Sequence, residues 1–347
     1  MEVKKIALPV LLGATLLVAA WIGTRFFTAA NPGAQAEVKK VGIAQQYGIS
    51  YLPLMVMEDK KLLEKEAKAA GLGDLEVIWA KFAGGNVMNE ALLAGDLQFA
   101  SGGVAPFFML WAKTRDNIDV KAISAMNAMP LLLNTRNPEI KTLKDFTEKD
   151  RISLPAVKVS IQAITLQMEA EKVFGPGQQN KLDAFTVTQS NPDGMIAMLS
   201  GSSEINSHFA APPFQYTELA KPGIHTVLNS YDVMGGPHTF NVVWTSKKFA
   251  DANPKTYAAF IKAFNDSIAI VNKDKKAAAE LYIRVSKSKE TVASVEKMLN
   301  DPNVEFTATP KNVMKYVDFM NRIGIVKTKP DTWKDLFFHN AHHLLGS

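Results

Sequence analysis

The chain has 347 residues, 47% hydrophobic and 21% charged, a balance that excludes disordered, collagen-like and disulfide-stapled proteins and leaves room for two domains of about 150 residues. Cys is absent, which removes disulfides, thiol catalysis, Cys-ligated zinc, iron–sulfur clusters and the cysteine of a lipid anchor. The net charge of +5 is modest and scattered, and argues against nucleic acid as a partner.

Residues 1–36 stand apart. Lys4 and Lys5 make a basic start, Ile6 to Gly23 is almost wholly apolar, and the segment ends in Ala34-Gln35-Ala36, an A-x-A pattern at which a signal peptide is cut. The expectation is export with cleavage before Glu37. The apolar run also approaches the length of a membrane span, which leaves a retained anchor as the alternative. Cleavage removes three basic side chains and one acidic one, for a net charge of +3. No later stretch is apolar for long enough to cross a bilayer.

The remainder alternates strand and helix. Lys40 to Ala44 reads as a strand, and Pro53 opens an amphipathic helix through Leu54, Leu62, Leu63 and Ala67 that Gly71 and Gly73 end. Leu75 to Trp79 is a second strand. Asn86 is placed to cap a short helix stopped by Gly95. Leu97 to Ala100 is a third strand, followed by a Gly102-Gly103 turn and a helix through Phe107, Phe108 and Trp111. Val120 to Ala125 is a fourth. The alternation then restarts, with strands at 131–135, 152–154, 184–187 and 205–209, and helices at 161–173 and 193–199. A strand at 239–245 follows, and beyond Pro254 the chain turns mostly helical. Such alternation with short turns is the pattern of parallel α/β sheets, here in two lobes.

Three segments carry a family resemblance. Ala91-Leu92-Leu93-Ala94-Gly95-Asp96-Leu97-Gln98-Phe99-Ala100, with Gly102-Gly103 after it, is similar to a segment of the nitrate/sulfonate/taurine-type substrate-binding proteins of ABC importers. Ile140 to Phe146, leading to Arg151-Ile152-Ser153-Leu154, resembles that family's entry into the second lobe. Ile205-Asn206-Ser207-His208-Phe209-Ala210-Ala211-Pro212-Pro213-Phe214 resembles a strand and turn within it. Asp145-Phe146-Thr147 lacks the family's usual Gly, and Ala156-Val157-Lys158-Val159 stands in place of its Gly-Ser turn. The resemblance implies a type II periplasmic-binding-protein fold, α/β with a ligand cleft between two lobes. It implies a signal peptide at 1–36, a first lobe at 37–126, a second at 127–238, and a return to the first at 239–347 with C-terminal helices.

The residues themselves point to the same kind of site. In open α/β sheets ligands bind beyond the carboxyl ends of the strands, where helix N-termini favour an anion. Gly102 and Gly103 let backbone approach a ligand, or make a plain tight turn; Gly84 and Gly85 are similarly placed. Ser160 and Asn127 are polar anchors. Tyr47 and Tyr51 follow the first strand and suit either stacking on a ligand or packing. Lys158 fits pairing with an anionic group or a solvated surface position. His208, inside a strand, fits ligand contact or a satisfied core position.

Catalysis finds little support. There is no G-x-S-x-G, Walker loop or dinucleotide motif. His339 and His343 share a helical spacing that suits a metal, without the Glu of a zincin motif, so no metal or cofactor is expected. The implied function is a periplasmic, monomeric solute-binding component of an ABC importer, with the permease and its ATPase as partners and the membrane met only through the permease. The ligand is a small organic anion, sulfonate- or taurine-like. The alternatives are a pyrimidine or thiamine precursor, an aromatic carboxylate, or a pyrimidine-synthesis enzyme on the same fold; lack of Cys and an export signal weigh against the enzyme.

Overall fold

The structure is a computed structural model that describes residues 36–347; the expected signal segment therefore lies, except for Ala36, outside the described residues. The first sheet begins with β1 (Lys40–Gln45), whose Val41 and Ile43 are fully buried. Pro53 sits in the first turn of α1 (Leu52–Asp59), where its missing N–H costs no helical bond. The apolar pattern expected to run on as one helix breaks at Lys61, which adopts φ 50°, and resumes as α2 (Leu62–Ala69). Next come β2 (Glu76–Lys81), α3 (Gly85–Ala94), β3 (Ala100–Gly103), α4 (Val104–Thr114) and β4 (Val120–Ala125).

The second sheet takes β5 (Leu132–Thr135) and β6 (Ile152–Leu154), then α5 (Ile161–Phe174), β7 (Thr186–Thr188), α6 (Asn191–Ser200) and β8 (Ser207–Ala210). It continues through α7 (Phe214–Leu219), β9 (His225–Asn229) and α8 (Ser230–Met234). The strand β9 was not expected; its edge position leaves a weakly apolar sequence half exposed. The chain then gives β10 (Asn241–Ser246), α9 (Lys247–Ala252), α10 (Pro254–Lys273), α11 (Lys275–Ser286), α12 (Val292–Leu299), α13 (Val313–Arg322) and α14 (Trp333–Leu336). Among the described residues no helix is long and apolar enough to cross a membrane.

The two sheets share one topology. The second has the order β7-β6-β8-β5-β9, with β6 parallel to β7 and β8, and β5 antiparallel to both its neighbours. In the first, β1 pairs parallel with β2, a single Ile43–Phe99 bridge joins β1 to the start of β3, and β10 lies antiparallel between β3 and β4. Each sheet therefore holds four parallel strands and one antiparallel strand supplied by the chain as it arrives from the other sheet. The two crossovers run side by side: Met126 N–H donates to Asn241 O at 2.9 Å and Phe240 N–H to Asn127 O at 3.1 Å. Two adjacent segments of the chain thus connect the sheets.

The first lobe's core packs α10 onto α1 and α2, with Phe99 stacked on Phe260 at 3.9 Å between ring centroids and Trp244 beside Phe107 at 5.6 Å. Each such buried side chain contributes about 1.5–3 kcal/mol. The predicted strand 97–100 lies three residues later, at β3, because Gly102 and Gly103 pair with Val242 and Asn241 and are not a free turn.

Candidate functional site

The carboxyl ends of the parallel strands in both sheets face a narrow cleft whose enclosed space is about 20 Å³, room for roughly one water. From the first lobe come Gln46, just past β1, Tyr51, Gly85 and Asn86 at the start of α3, and Gly103 and Pro106 at the start of α4. The second lobe supplies Pro155, Ala156 and Val159 after β6, Ser160, Ile161 and Gln162 at the start of α5, and Asn191 at the start of α6. Phe240, from the second crossover, completes the lining. Four helices thus begin at one cavity.

Among the described residues no Asp, Glu, Lys, Arg or His lines it. The electrostatics come from the helix ends, each equivalent to roughly half a positive charge and each leaving first-turn N–H groups without a helical acceptor. The four ends are not equal. α3 and α4 are capped by Gly84 and Gly103, which have no side chain to occupy those groups. In α5, Ser160 Oγ accepts from Ala163 N–H at 3.2 Å. In α6, Ser190 Oγ accepts from Asp193 N–H, and the Asp193 carboxylate in the same turn offsets that end's charge.

Three carboxamides add hydrogen-bonding capacity. Gln162 is 2% exposed and its Nε2 has no partner among the described residues; Asn191 is 6% exposed and its Oδ1 has none. Gln46 Nε2 reaches Ser101 O only at 3.5 Å. A buried polar group left unpaired costs about 1–3 kcal/mol. Tyr51 is buried with its hydroxyl 3.5 Å from Asn241 Oδ1, and burial pushes its pKa far above the ordinary phenol value, so it is a neutral donor.

The lobes touch on either side of the cleft. A methyl on Gly103 would stand 2.8 Å from Ile161 Cβ, and one on Gly84 would stand 3.2 Å from Pro155 O. Neither glycine has a positive φ, at −62° and −158°. They are glycines because the opposite lobe comes close.

Of the ten expected site residues, Tyr51, Gly85, Gly103 and Ser160 line the cleft, and Gly84 sits at its edge against Pro155. The other five lie elsewhere. Gly102 is one residue behind the lining, its open side against Gln46 and the fully buried Trp244. Tyr47 is 37% exposed, outside the lining. Asn127 belongs to the crossover, where its Nδ2 donates to Ser50 O at 2.6 Å and its Oδ1 accepts from Asn241 N–H. Lys158 adopts φ 65° and is exposed, its charge acting on the Asp183 carboxylate. His208 lies in the second lobe's core, 2.5 Å through Nδ1 from Glu218 Oε1, while Glu218 Oε2 accepts from Asn134 Nδ2 at 2.8 Å.

Sequence reasoning missed Gln46, Pro106, Gln162, Asn191 and Phe240. It also read Asn86 as a helix cap, whereas Gly84 caps α3 and Asn86 is its second residue. Asn191 carried a signal, the Ser190-x-x-Asp193 start of α6. Near the C-terminus, His339 and His342 lie Nδ1 to Nδ1 at 3.3 Å, and among the described residues no group of three or more His, Cys, Asp or Glu is arranged to hold a metal.

No protein-family sequence model matches the chain, and no curated protein sequence matches it. Several solved structures match its shape. The alkanesulfonate-binding protein SsuA from Xanthomonas axonopodis pv. citri, bound to MOPS, has a TM-score of 0.64 and 16% identity, covering 84% of this chain and 96% of its own. The periplasmic nitrate-binding protein NrtA from Synechocystis PCC 6803 scores 0.67 at 12% identity, covering 86% and 85%. The ligand-binding component of an ABC-type import system from Staphylococcus aureus, with zinc bound, scores 0.65 at 15% identity, covering 88% and 98%. With the matched strand orders of its two sheets and the paired crossovers between them, the chain has the type II periplasmic-binding-protein fold.

Proposed function

We propose that this chain is the solute-binding component of an ABC importer, exported to the periplasm by residues 1–36. In this reading it holds a small organic anion of the sulfonate class in the cleft and presents the closed form to a permease driven by an ATPase. The observation that carries it is the convergence of four helix N-termini on a small cavity without a charged side chain. Fixed backbone N–H groups offer an anion charge-assisted bonds with little reorganisation, and they release it without breaking a buried ion pair. The lobe contacts at Gly84 and Gly103 support capture by closure. The structural likeness to SsuA, NrtA and the staphylococcal import component favours transport over catalysis, and the lining offers no nucleophile–base pair.

Thermal melting of the purified protein against sulfonates, nitrate, aliphatic and aromatic carboxylates and pyrimidines tests this reading. A ligand at 100 times its Kd adds about 2.7 kcal/mol to the folded state, a shift of a few degrees. Sulfonates are expected to give the largest shift. A shift with pyrimidines alone would replace the anion with a neutral ring stacked between Tyr51 and Phe240.

A further inference from the structure

Four positive helix ends explain an anion, but they leave part of the lining unexplained. Asn191 Oδ1 is an acceptor, 6% of its residue is exposed, and nothing among the described residues donates to it. The oxygens of a sulfonate or nitrate cannot satisfy it, because they are acceptors as well. Gln162 Nε2, on the neighbouring helix start and in the same lining, is a donor without an acceptor. A neutral hydroxyl has what each lacks, a proton to donate to Asn191 Oδ1 and an oxygen to accept from Gln162 Nε2. An ammonium group would donate to Asn191, yet it would give Gln162 no acceptor. It would also enter a cavity with the uncompensated positive ends of α3, α4 and α5 and no carboxylate in its lining.

Building on the anion reading above, we propose that the cleft selects a small anion carrying a hydroxyl group and discriminates against its amino counterpart, with Asn191 and Gln162 reading the hydroxyl. Specificity of this kind comes from buried polar groups that the wrong ligand leaves unpaired.

Three probes of equal chain length test the proposal by titration calorimetry on the purified protein: ethanesulfonate, 2-hydroxyethanesulfonate and 2-aminoethanesulfonate. The hydroxyl compound is expected to bind at least tenfold tighter than ethanesulfonate, and the amino compound weakest of the three. Equal affinity for the hydroxyl and plain compounds overturns the proposal but leaves the anion reading standing. Failure of all three, along with every anion of the melting panel, overturns both. Asn191→Asp adds a carboxylate at a helix N-terminus, where acids are favoured, so the variant is expected to fold. It should move the preference toward the amino compound by tenfold or more. An unchanged order of affinities in that variant would mean that Asn191 does not face the ligand.

Discussion

Gly103 and Ile161 meet across the cleft so closely that a methyl on Gly103 would stand 2.8 Å from both Cβ and Cγ2 of Ile161. With φ −62° and ψ 153°, the Gly103 backbone suits any residue, so the neighbour and not the torsion demands glycine. Gly103→Val is therefore expected to lower ligand affinity at least tenfold, about 1.4 kcal/mol, by holding the lobes apart. Adding Ile161→Ala should recover part of that loss. Titration calorimetry on the single and double variants decides it, and wild-type affinity in Gly103→Val would show that closure does not bring these residues together. Gly102→Val differs, because its side chain would press on Gln46 and Trp244, and stability should fall along with affinity.

His238 ties the two crossovers together. Its Nε2 accepts from the Ser230 hydroxyl at 2.8 Å, its Nδ1–H donates to Thr239 O at 3.1 Å, and Ser230 Oγ accepts from Leu131 N–H. Burial between Tyr231 and Tyr316, assisted by the nearby Lys315 charge and opposed only in part by the hydrogen bond to Thr239 O, holds its pKa down to about 4 from an ordinary 6.5. The folded state thus refuses a proton that the unfolded chain accepts. Stability is full above pH ~6.5, falls as the pH drops toward ~4, and levels off below, for a loss of about 3 kcal/mol. Carboxylates held low, such as Asp59 beside Arg284, lose their contribution only as the pH falls through ~4 and below. Urea midpoints at pH 7.5, 6 and 5 should therefore fall for the wild type and stay flatter for His238→Gln. Parallel slopes would remove His238 as the cause.

The pair His208–Glu218 is structural and lies away from the cleft lining. Glu218→Ala strips an acceptor from both His208 Nδ1 and Asn134 Nδ2, all within fully buried surroundings. Breaking a buried pair from one side costs about 3–5 kcal/mol. Denaturant unfolding should show a loss of that order, while ligand affinity of the folded variant stays within about twofold of wild type, a free-energy change of less than 0.5 kcal/mol. A large affinity loss would return His208 to the ligand site that its sequence position suggested.

The alternation of strands and helices was legible from the chain, and four of the residues singled out from it, Tyr51, Gly85, Gly103 and Ser160, fall in the lining of the cleft. Local pattern could not supply facts that belong to pairs of distant segments. Gly84 reads as a loop glycine in the sequence, but a side chain there would meet Asn86 Oδ1 and also Pro155 O, which arrives from the other lobe. His208 reads as a candidate ligand until Glu218 and Gly194 are seen packed against it. The strand β3 was placed early because Leu97 and Phe99 carry the apolar signal, whereas the ladder forms on Ser101, Gly102 and Gly103 against β10, a strand about 140 residues away in sequence. Gln162 and Asn191 were missed for a related reason. A surface carboxamide and an orphaned one look alike until the helix that buries them is placed.

Gln162 gives the sharpest test of whether the cleft trades stability for binding. It is the second residue of α5, 2% exposed, with an Nε2 that nothing among the described residues accepts from. Such a group costs about 1–3 kcal/mol in the empty protein, and an apolar side chain of similar size removes that cost. Gln162→Leu is therefore expected to raise the unliganded stability by about 1 kcal/mol and to weaken the ligand by tenfold or more, a pattern typical of residues kept for function. Melting in the absence of ligand and calorimetry in its presence measure the two effects separately. A variant that is more stable yet binds as before would show that the amide faces away from the ligand. One that loses both would show that Nε2 has a structural partner after all.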